Sequence, residues 1–146
     1  ARWQGDVLDL NPDWVSVMIG VNDAWRRFDE PEVFEGTISA EQYEKTYRDL
    51  IERTLPRVKG MILMTPFFLE PNREDAMRRA VDEFGSISRK LAEEYGLVFV
   101  DVQAVFDDYL QHRHSAYLAG DRVHPNQVGA FLIARAFLKA VGFQQN

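Results

Sequence analysis

The chain has 146 residues, 46% hydrophobic and 27% charged, with 17 Lys and Arg against 23 Asp and Glu for a formal charge of -6. That length fits one domain, residues 1–146, with room for a substantial core, and an acidic balance without clustered positive charge argues against nucleic acid as a partner. No apolar run approaches the roughly 18–20 residues of a membrane span, no signal-like segment opens the chain, and the absence of cysteine excludes a disulfide scaffold and thiolate metal sites without fixing the compartment.

The chain opens at Ala1 without a Met, and Arg2 to Leu8 read as the tail of a helix whose beginning lies outside it. Asn11, Pro12 and Asp13 form a turn signal ahead of a continuous β-rich run, Trp14 to Ile19, which ends at Gly20. An unalternated run of this kind predicts a strand covered on both faces, as in parallel sheets. A polar, aromatic loop is expected from about Trp25 to Gly36. Ser39 and Gln42 then have capping-box spacing, and Tyr43, Tyr47, Leu50, Ile51 and Leu55 recur at helical spacing until Pro56 stops the pattern.

Met61 to Met64 predict a second buried strand, ended by Thr65 and Pro66. Asn72 is placed to cap the next helix, whose apolar stripe runs from Met77 through Phe84 and Leu91 to Tyr95, with Gly96 as its stop. A third strand follows in Leu97 to Val100, then a short helix over about Gln103 to Gln111. A last helix starts near Asn126, carries Val128, Phe131, Leu132, Phe137 and Val141, and is followed by Gly142. This alternation predicts an α/β fold, a parallel sheet with helices on both faces, although three strands make a thin sheet.

Ligands of open parallel sheets bind beyond the carboxyl ends of the strands. Gly20, Val21, Asn22 and Asp23 end the first strand, and Thr65 to Phe68 end the second. A third cluster, Asp121-Arg122-Val123-His124-Pro125, stands on the loop before the last helix. An Asp and a His three residues apart on a loop can bond each other, the carboxylate fixing the imidazole tautomer and stabilising the imidazolium. Taken alone, the pair reads more simply as a surface turn entering a helix. His112, Arg113 and His114 beside Asp107 and Asp108 suit a helix C-terminus better than a metal, because no third well-spaced ligand appears. Arg78 and Arg79 read as a solvated helix face.

The Gly-x-Asn-Asp of Gly20 to Asp23, followed about a hundred residues later by Asp-x-x-His-Pro at Asp121 to Pro125, resembles the SGNH (GDSL-type) esterase family. Pro12 to Ser16, Asn22 to Arg26, Met64 to Phe67 and Arg122 to Pro125 look like its intracellular acetylxylan-esterase branch. The resemblance implies a three-layer α/β/α sandwich of flavodoxin-like type and a serine esterase that removes short acyl groups from carbohydrate. It implies His124 as general base, Asp121 orienting it, and the Asn22 amide in the oxyanion hole. Gly20, Trp25 and Phe67 would line the substrate pocket, with Phe28, Phe34 and Phe68 nearby, although half or more of these aromatics are expected to close the core.

No metal or cofactor is implied. The expected partner is a small acylated substrate such as a carbohydrate ester, not a membrane or nucleic acid, with self-association into a homo-oligomer and a cytoplasmic location also expected. Asp23 is expected to shape its loop by bonding backbone donors, and the structural alternative for Asn22 is a cap on the strand-end turn.

Two departures stand out. The family's Gly-Asp-Ser block is absent: Ser16 lies in a strand, Ser39 is a cap, Ser86 and Ser88 lie mid-helix, and Ser115 lacks the Gly-Asp context. This predicts that the chain is the C-terminal two-thirds of such an enzyme, its nucleophile upstream; the alternative is a non-catalytic α/β binding module that lost the serine. Gly120 also stands where the acetylxylan branch tends to carry a tryptophan, so part of a sugar-stacking wall is expected to differ.

Overall fold

Apolar runs too short and too β-branched for helices extend as three strands, β1 (Trp14–Met18), β2 (Gly60–Met64) and β3 (Val98–Val100). The computed structural model describes residues 2–29 and 38–143. The strands pair in parallel in the order β1-β2-β3. Among the described residues, six α-helices run between and around them: α1 (Trp3–Asp6), α2 (Val21–Asp29), α3 (Ala40–Thr54), α4 (Ala76–Tyr95), α5 (Val102–Leu110) and α6 (Gln127–Ala140).

The register aligns Val15 with Met61 and Val17 with Leu63, and partners in a pleated sheet point to the same face. On that face they pack with Tyr43, Tyr47 and Ile51 of α3 and Val81, Phe84 and Leu91 of α4. The opposite face carries Ile62, Met64 and Val100, covered by Phe106 of α5, Leu118, and Leu132 and Phe137 of α6. Two cores on either side of one parallel sheet make the three-layer α/β/α arrangement expected from the alternation of elements.

Capping explains several boundaries. The Ser39 hydroxyl accepts from Gln42 N–H at 3.1 Å, and the Gln42 side chain accepts from Ser39 N–H at 3.0 Å, so the capping box is complete. Asn126 caps α6 through Val128 N–H (2.9 Å) and Gly129 N–H (3.2 Å). Gly96 ends α4 at φ +64°, in the left-handed region that glycine enters without strain.

Four expectations are corrected. Trp14, Ser16 and Met18 are exposed and only Val15 and Val17 are buried, so β1 alternates rather than being covered on both faces. Trp25 to Asp29 belong to α2, not to a loop; the rest of that predicted loop, 30–36, lies outside the described residues. Asn72 does not cap α4, because Asp75 does so through Arg78 N–H (2.9 Å), and Asn72 instead accepts from Glu74 N–H at 3.0 Å. Arg78 is not solvated: it is 1% exposed and bonded to Asp82 and Asp107.

The uncovered side of β1 lies on the same face of the sheet as α6, where Val128 and Phe131 are also exposed. Strand edges with apolar side chains recruit other chains. The 146-residue chain by itself is expected to self-associate and to bind an apolar dye, and Met18→Lys is expected to reduce both. A monomer in sedimentation with a sharp cooperative melt at about 50 °C or above, as for an ordinary mesophile domain, would contradict this.

Candidate active site

Three segments meet at the carboxyl end of the sheet: the start of α2 after β1, residues 65–70 after β2, and the loop 121–126 before α6. The loop is built around Asp121. One carboxylate oxygen accepts from the backbone N–H of Val123 (3.0 Å) and of His124 (2.8 Å), and the other stands 2.6 Å from His124 Nδ1. These bonds, first the His124 N–H, then its ring, then the Val123 N–H, hold the Asp121 carboxyl well below the usual carboxylate range. An ionised Asp121 fixes a proton on Nδ1 of the neutral ring, which leaves Nε2 as the basic nitrogen. Among the described residues, His124 Nε2 has no hydrogen-bond partner. The His124 side chain is 68% exposed.

Trp25 of α2 stands edge-on to His124, ring centroids 5.5 Å apart and planes at 70°. Asn22 lies three residues earlier, one helical turn away on the same side of α2. Its exposed side chain makes no hydrogen bond with any described residue, so it is not the turn cap of the structural alternative. Asp23 sits in the first turn of α2 rather than in a loop. Its carboxyl is pushed up by burial, a shift opposed by its own N–H, Arg27 and Arg26. Apart from that N–H it serves no loop donor, so the loop-shaping role is corrected to a helix N-terminal one.

Gly20 and Phe67 do not line an open pocket. Gly20 is buried at φ +116°, and a Cβ there would come to 3.1 Å from the Tyr43 ring and 3.3 Å from Phe84, so it is needed for close packing of the turn. Tyr43 fixes the same turn by donating to Ile19 C=O at 3.1 Å. Phe67 is 4% exposed and packs on Phe106 with centroids 4.7 Å apart. Phe68 is also buried and Phe28 is exposed, while Phe34 lies outside the described residues. Among the described residues, Trp25 is the one aromatic of this group in contact with the Asp121–His124 pair.

None of the serines is a partner of His124 among the described residues. Ser86 donates to Asp82 C=O, Ser88 to Phe84 C=O, and Ser39 caps α3. His114 accepts from Ala116 N–H at 3.1 Å and so caps a short turn. Sequence reasoning missed the support beneath the loop, where Glu70 and Arg78 bond the segment after β2. Arg78 with Asp82 at i+4 was a legible signal; Glu70 with Arg122, 52 residues apart, was not.

A carboxylate-fixed imidazole at the carboxyl edge of a parallel α/β scaffold is the arrangement in which hydrolases with an activated nucleophile hold their base. The model of the GDSL-like lipase/acylhydrolase family matches residues 1–130, and the chain belongs to that family. It is 49% identical over 144 residues to an acetylxylan esterase of Geobacillus stearothermophilus, an alignment that covers 99% of this chain and 66% of the relative. The crystal structure of an acetylxylan esterase from that organism superposes with a TM-score of 0.95 at 48% identity, over 98% of this chain and 65% of the other. An α/β hydrolase from the metagenome of Lake Arreo, Spain, gives 0.95 at 54%, over 99% and 66%. The chain thus spans about two thirds of the length of the relatives it matches. Among the described residues no helix is long and apolar enough to cross a membrane.

The loop's packing and its charge can each be tested. Gly129 in α6 faces Pro125, where an added Cβ would stand 2.6 Å from the Pro125 Cβ. Gly129→Ala is therefore expected to displace the loop and to cost about 1–3 kcal/mol in urea unfolding, as overpacking does; an unchanged midpoint would contradict it. Because the folded Asp121 carboxyl titrates below its unfolded value of about 3.9, its stabilisation is complete above that pH and is lost as pH falls towards the lower, folded value. The stability difference between wild type and Asp121→Asn is expected to shrink as pH falls below about 4. A difference that still grows below that pH would contradict the assignment.

Proposed function

We propose that the chain is the C-terminal portion of a single SGNH hydrolase domain, a serine esterase that removes short acyl groups, acetate first, from carbohydrate such as xylo-oligosaccharides. The observation that carries this reading is the Asp121 carboxylate 2.6 Å from His124 Nδ1, with Nε2 free of any hydrogen bond among the described residues and the Trp25 ring edge-on to the imidazole. In it His124 takes the proton of a serine supplied by a Gly-Asp-Ser segment that precedes these residues. The Geobacillus enzyme supports the same roles: its catalytic mutants replace a Ser, an Asp and a His, and that Asp and His are three residues apart, as Asp121 and His124 are. The activity named for that relative supports an acetylated carbohydrate as substrate.

Attack of the serine on the ester carbonyl builds negative charge on the carbonyl oxygen. The Asn22 amide donates to that oxygen in this reading, and a fixed donor acts mainly in the transition state, lowering the barrier to kcat more than it tightens KM. Proton uptake at Nε2 makes an imidazolium, which the ionised Asp121 stabilises through Nδ1–H; the same proton then passes to the sugar oxygen as its bond to the carbonyl carbon breaks, and a water that gives its proton to Nε2 releases the acyl group from the serine as the acid. A cytoplasmic, cofactor-free enzyme acting on small substrates, able to form homo-oligomers, completes the reading. A non-catalytic binding module has no physical use for an imidazole held in one tautomer, and no observation favours it.

The test is steady-state kinetics on 4-nitrophenyl acetate and an acetylated xylo-oligosaccharide, using a chain that carries these residues together with the Gly-Asp-Ser segment. His124→Ala is expected to lose on the order of 10⁴ or more in kcat, and Asn22→Ala about 10²–10³ with little change in KM. Asp121→Asn is expected to lose no more than His124→Ala, and the double variant to be far from additive. Retention of more than about a tenth of kcat by His124→Ala would contradict the base assignment, since general-base catalysis alone is worth about 10²–10⁴.

A further inference from the structure

The Asp121–His124 pair is exposed, its side chains 44% and 68% accessible, so packing around the two groups does not hold them in place. Geometry must come from the backbone between them. There Arg122 has φ +65°, in the left-handed region that a residue with a Cβ enters at a cost. That conformation folds the chain back so that Val123 N–H and His124 N–H both reach one Asp121 oxygen while the ring reaches the other. A strained turn persists only where its surroundings over-determine it.

Arg122 is held three ways by the segment after β2. Its carbonyl accepts from Leu69 N–H at 3.0 Å, its guanidinium Nη1 donates to the Glu70 carboxylate, and the guanidinium lies 5.2 Å from the centroid of the Phe68 ring. Glu70 is itself anchored. Its other carboxylate oxygen accepts from Asn72 N–H at 2.9 Å, and its carbonyl accepts from Arg78 Nη1 at 2.6 Å. Arg78, buried, is bonded in turn to Asp82 and Asp107, each at 2.8 Å. The exposed loop is thus tied through Glu70 to the buried Arg78, whose ion pairs with the half-buried Asp82 and Asp107 join α4 and α5.

We propose that Glu70 and Arg122 are positioning residues for the imidazole: their ion pair clamps the left-handed turn that sets the distance and tautomer of the Asp121–His124 bond. This rests on the reading of His124 as the base for its catalytic consequence, though the clamp itself acts on the loop whether or not the ring is the base. Neither residue touches the reacting atoms. Glycine at 122 relieves the backbone cost but removes the clamp, whereas lysine keeps a charge for Glu70 and loses the planar guanidinium over Phe68.

The experiment uses the chain with its Gly-Asp-Ser segment and the variants Arg122→Ala, Arg122→Gly, Arg122→Lys and Glu70→Gln. Two readouts are taken on each: the His124 Nδ1 proton and tautomer by ¹⁵N-edited NMR, and kcat and KM on 4-nitrophenyl acetate. Arg122→Ala, Arg122→Gly and Glu70→Gln are expected to lose the hydrogen-bonded Nδ1 proton signal and about ten- to a hundredfold in kcat, the scale of a misplaced group, with KM within about twofold. Arg122→Lys is expected to recover part of both.

If Arg122→Ala or Arg122→Gly folds and keeps the Nδ1 signal of the wild type, the clamp is overturned. It is overturned equally if KM rises while kcat holds, since a misplaced base changes the chemical step. Loss of the Nδ1 signal in the variants together with full activity of His124→Ala would support the clamp and overturn the base assignment instead. Glu70→Gln leaves the backbone of the loop untouched, so it separates the same outcomes if the Arg122 variants do not fold.

Discussion

One backbone hydrogen bond, Leu69 N–H to Arg122 C=O at 3.0 Å, joins the stretch after β2 to the loop before α6 and decides where the chemistry sits. Residues 61–69 are buried without interruption, and Gln103 pins their far end by accepting from Phe68 N–H at 2.8 Å while its own N–H reaches Thr65. A buried strand and its extension form the most rigid reference a small parallel sheet has. Attaching the 121–126 loop to that reference, rather than to an edge or a terminus, lets two exposed side chains keep a fixed separation.

The arrangement separates two physical tasks. The Asp121 and His124 side chains are exposed, so burial does not stabilise them, and the Asp121 carboxylate is satisfied by the loop's own N–H groups and the His124 ring. Rigidity is supplied underneath, where Arg78 has its charges compensated by Asp82 and Asp107 inside the protein. A buried ion pair contributes little net stability once desolvation is counted, but removing one partner is costly, so such clusters resist change. The same division holds at α2: Ala24 is buried and Trp25 is left at the surface against His124.

Much of this was legible in the sequence where local rules dominate. The capping box at Ser39, the stops at Gly96 and Pro56, the three strands and the start of α6 at Asn126 all follow from signals within a few residues. The Asp121–His124 pair was legible for the same reason, since spacing on a short loop nearly dictates contact. Legibility failed where partners are distant. Whether β1 is covered on one face or two depends on what lies beside it, which Trp14 to Ile19 cannot encode. Phe67 and Arg78 escape local rules because their burial is set by Phe106 and Asp107, some 30–40 residues away in the chain. Asn22 was expected at a strand end and Trp25 in a loop, and both stand on one helix, whose one-turn spacing puts them on the same side.

If His124, oriented by Asp121, is the base of a serine esterase as we propose, a preceding segment must bring the nucleophile to it. The most direct measurement is an experimental structure of the chain with that segment attached. The account predicts the serine hydroxyl within about 2.6–3.2 Å of His124 Nε2, the reach of a nucleophile and its base, with the Asp121–Nδ1 bond unchanged. A serine held away from Nε2, with no ordered water between them, would contradict it.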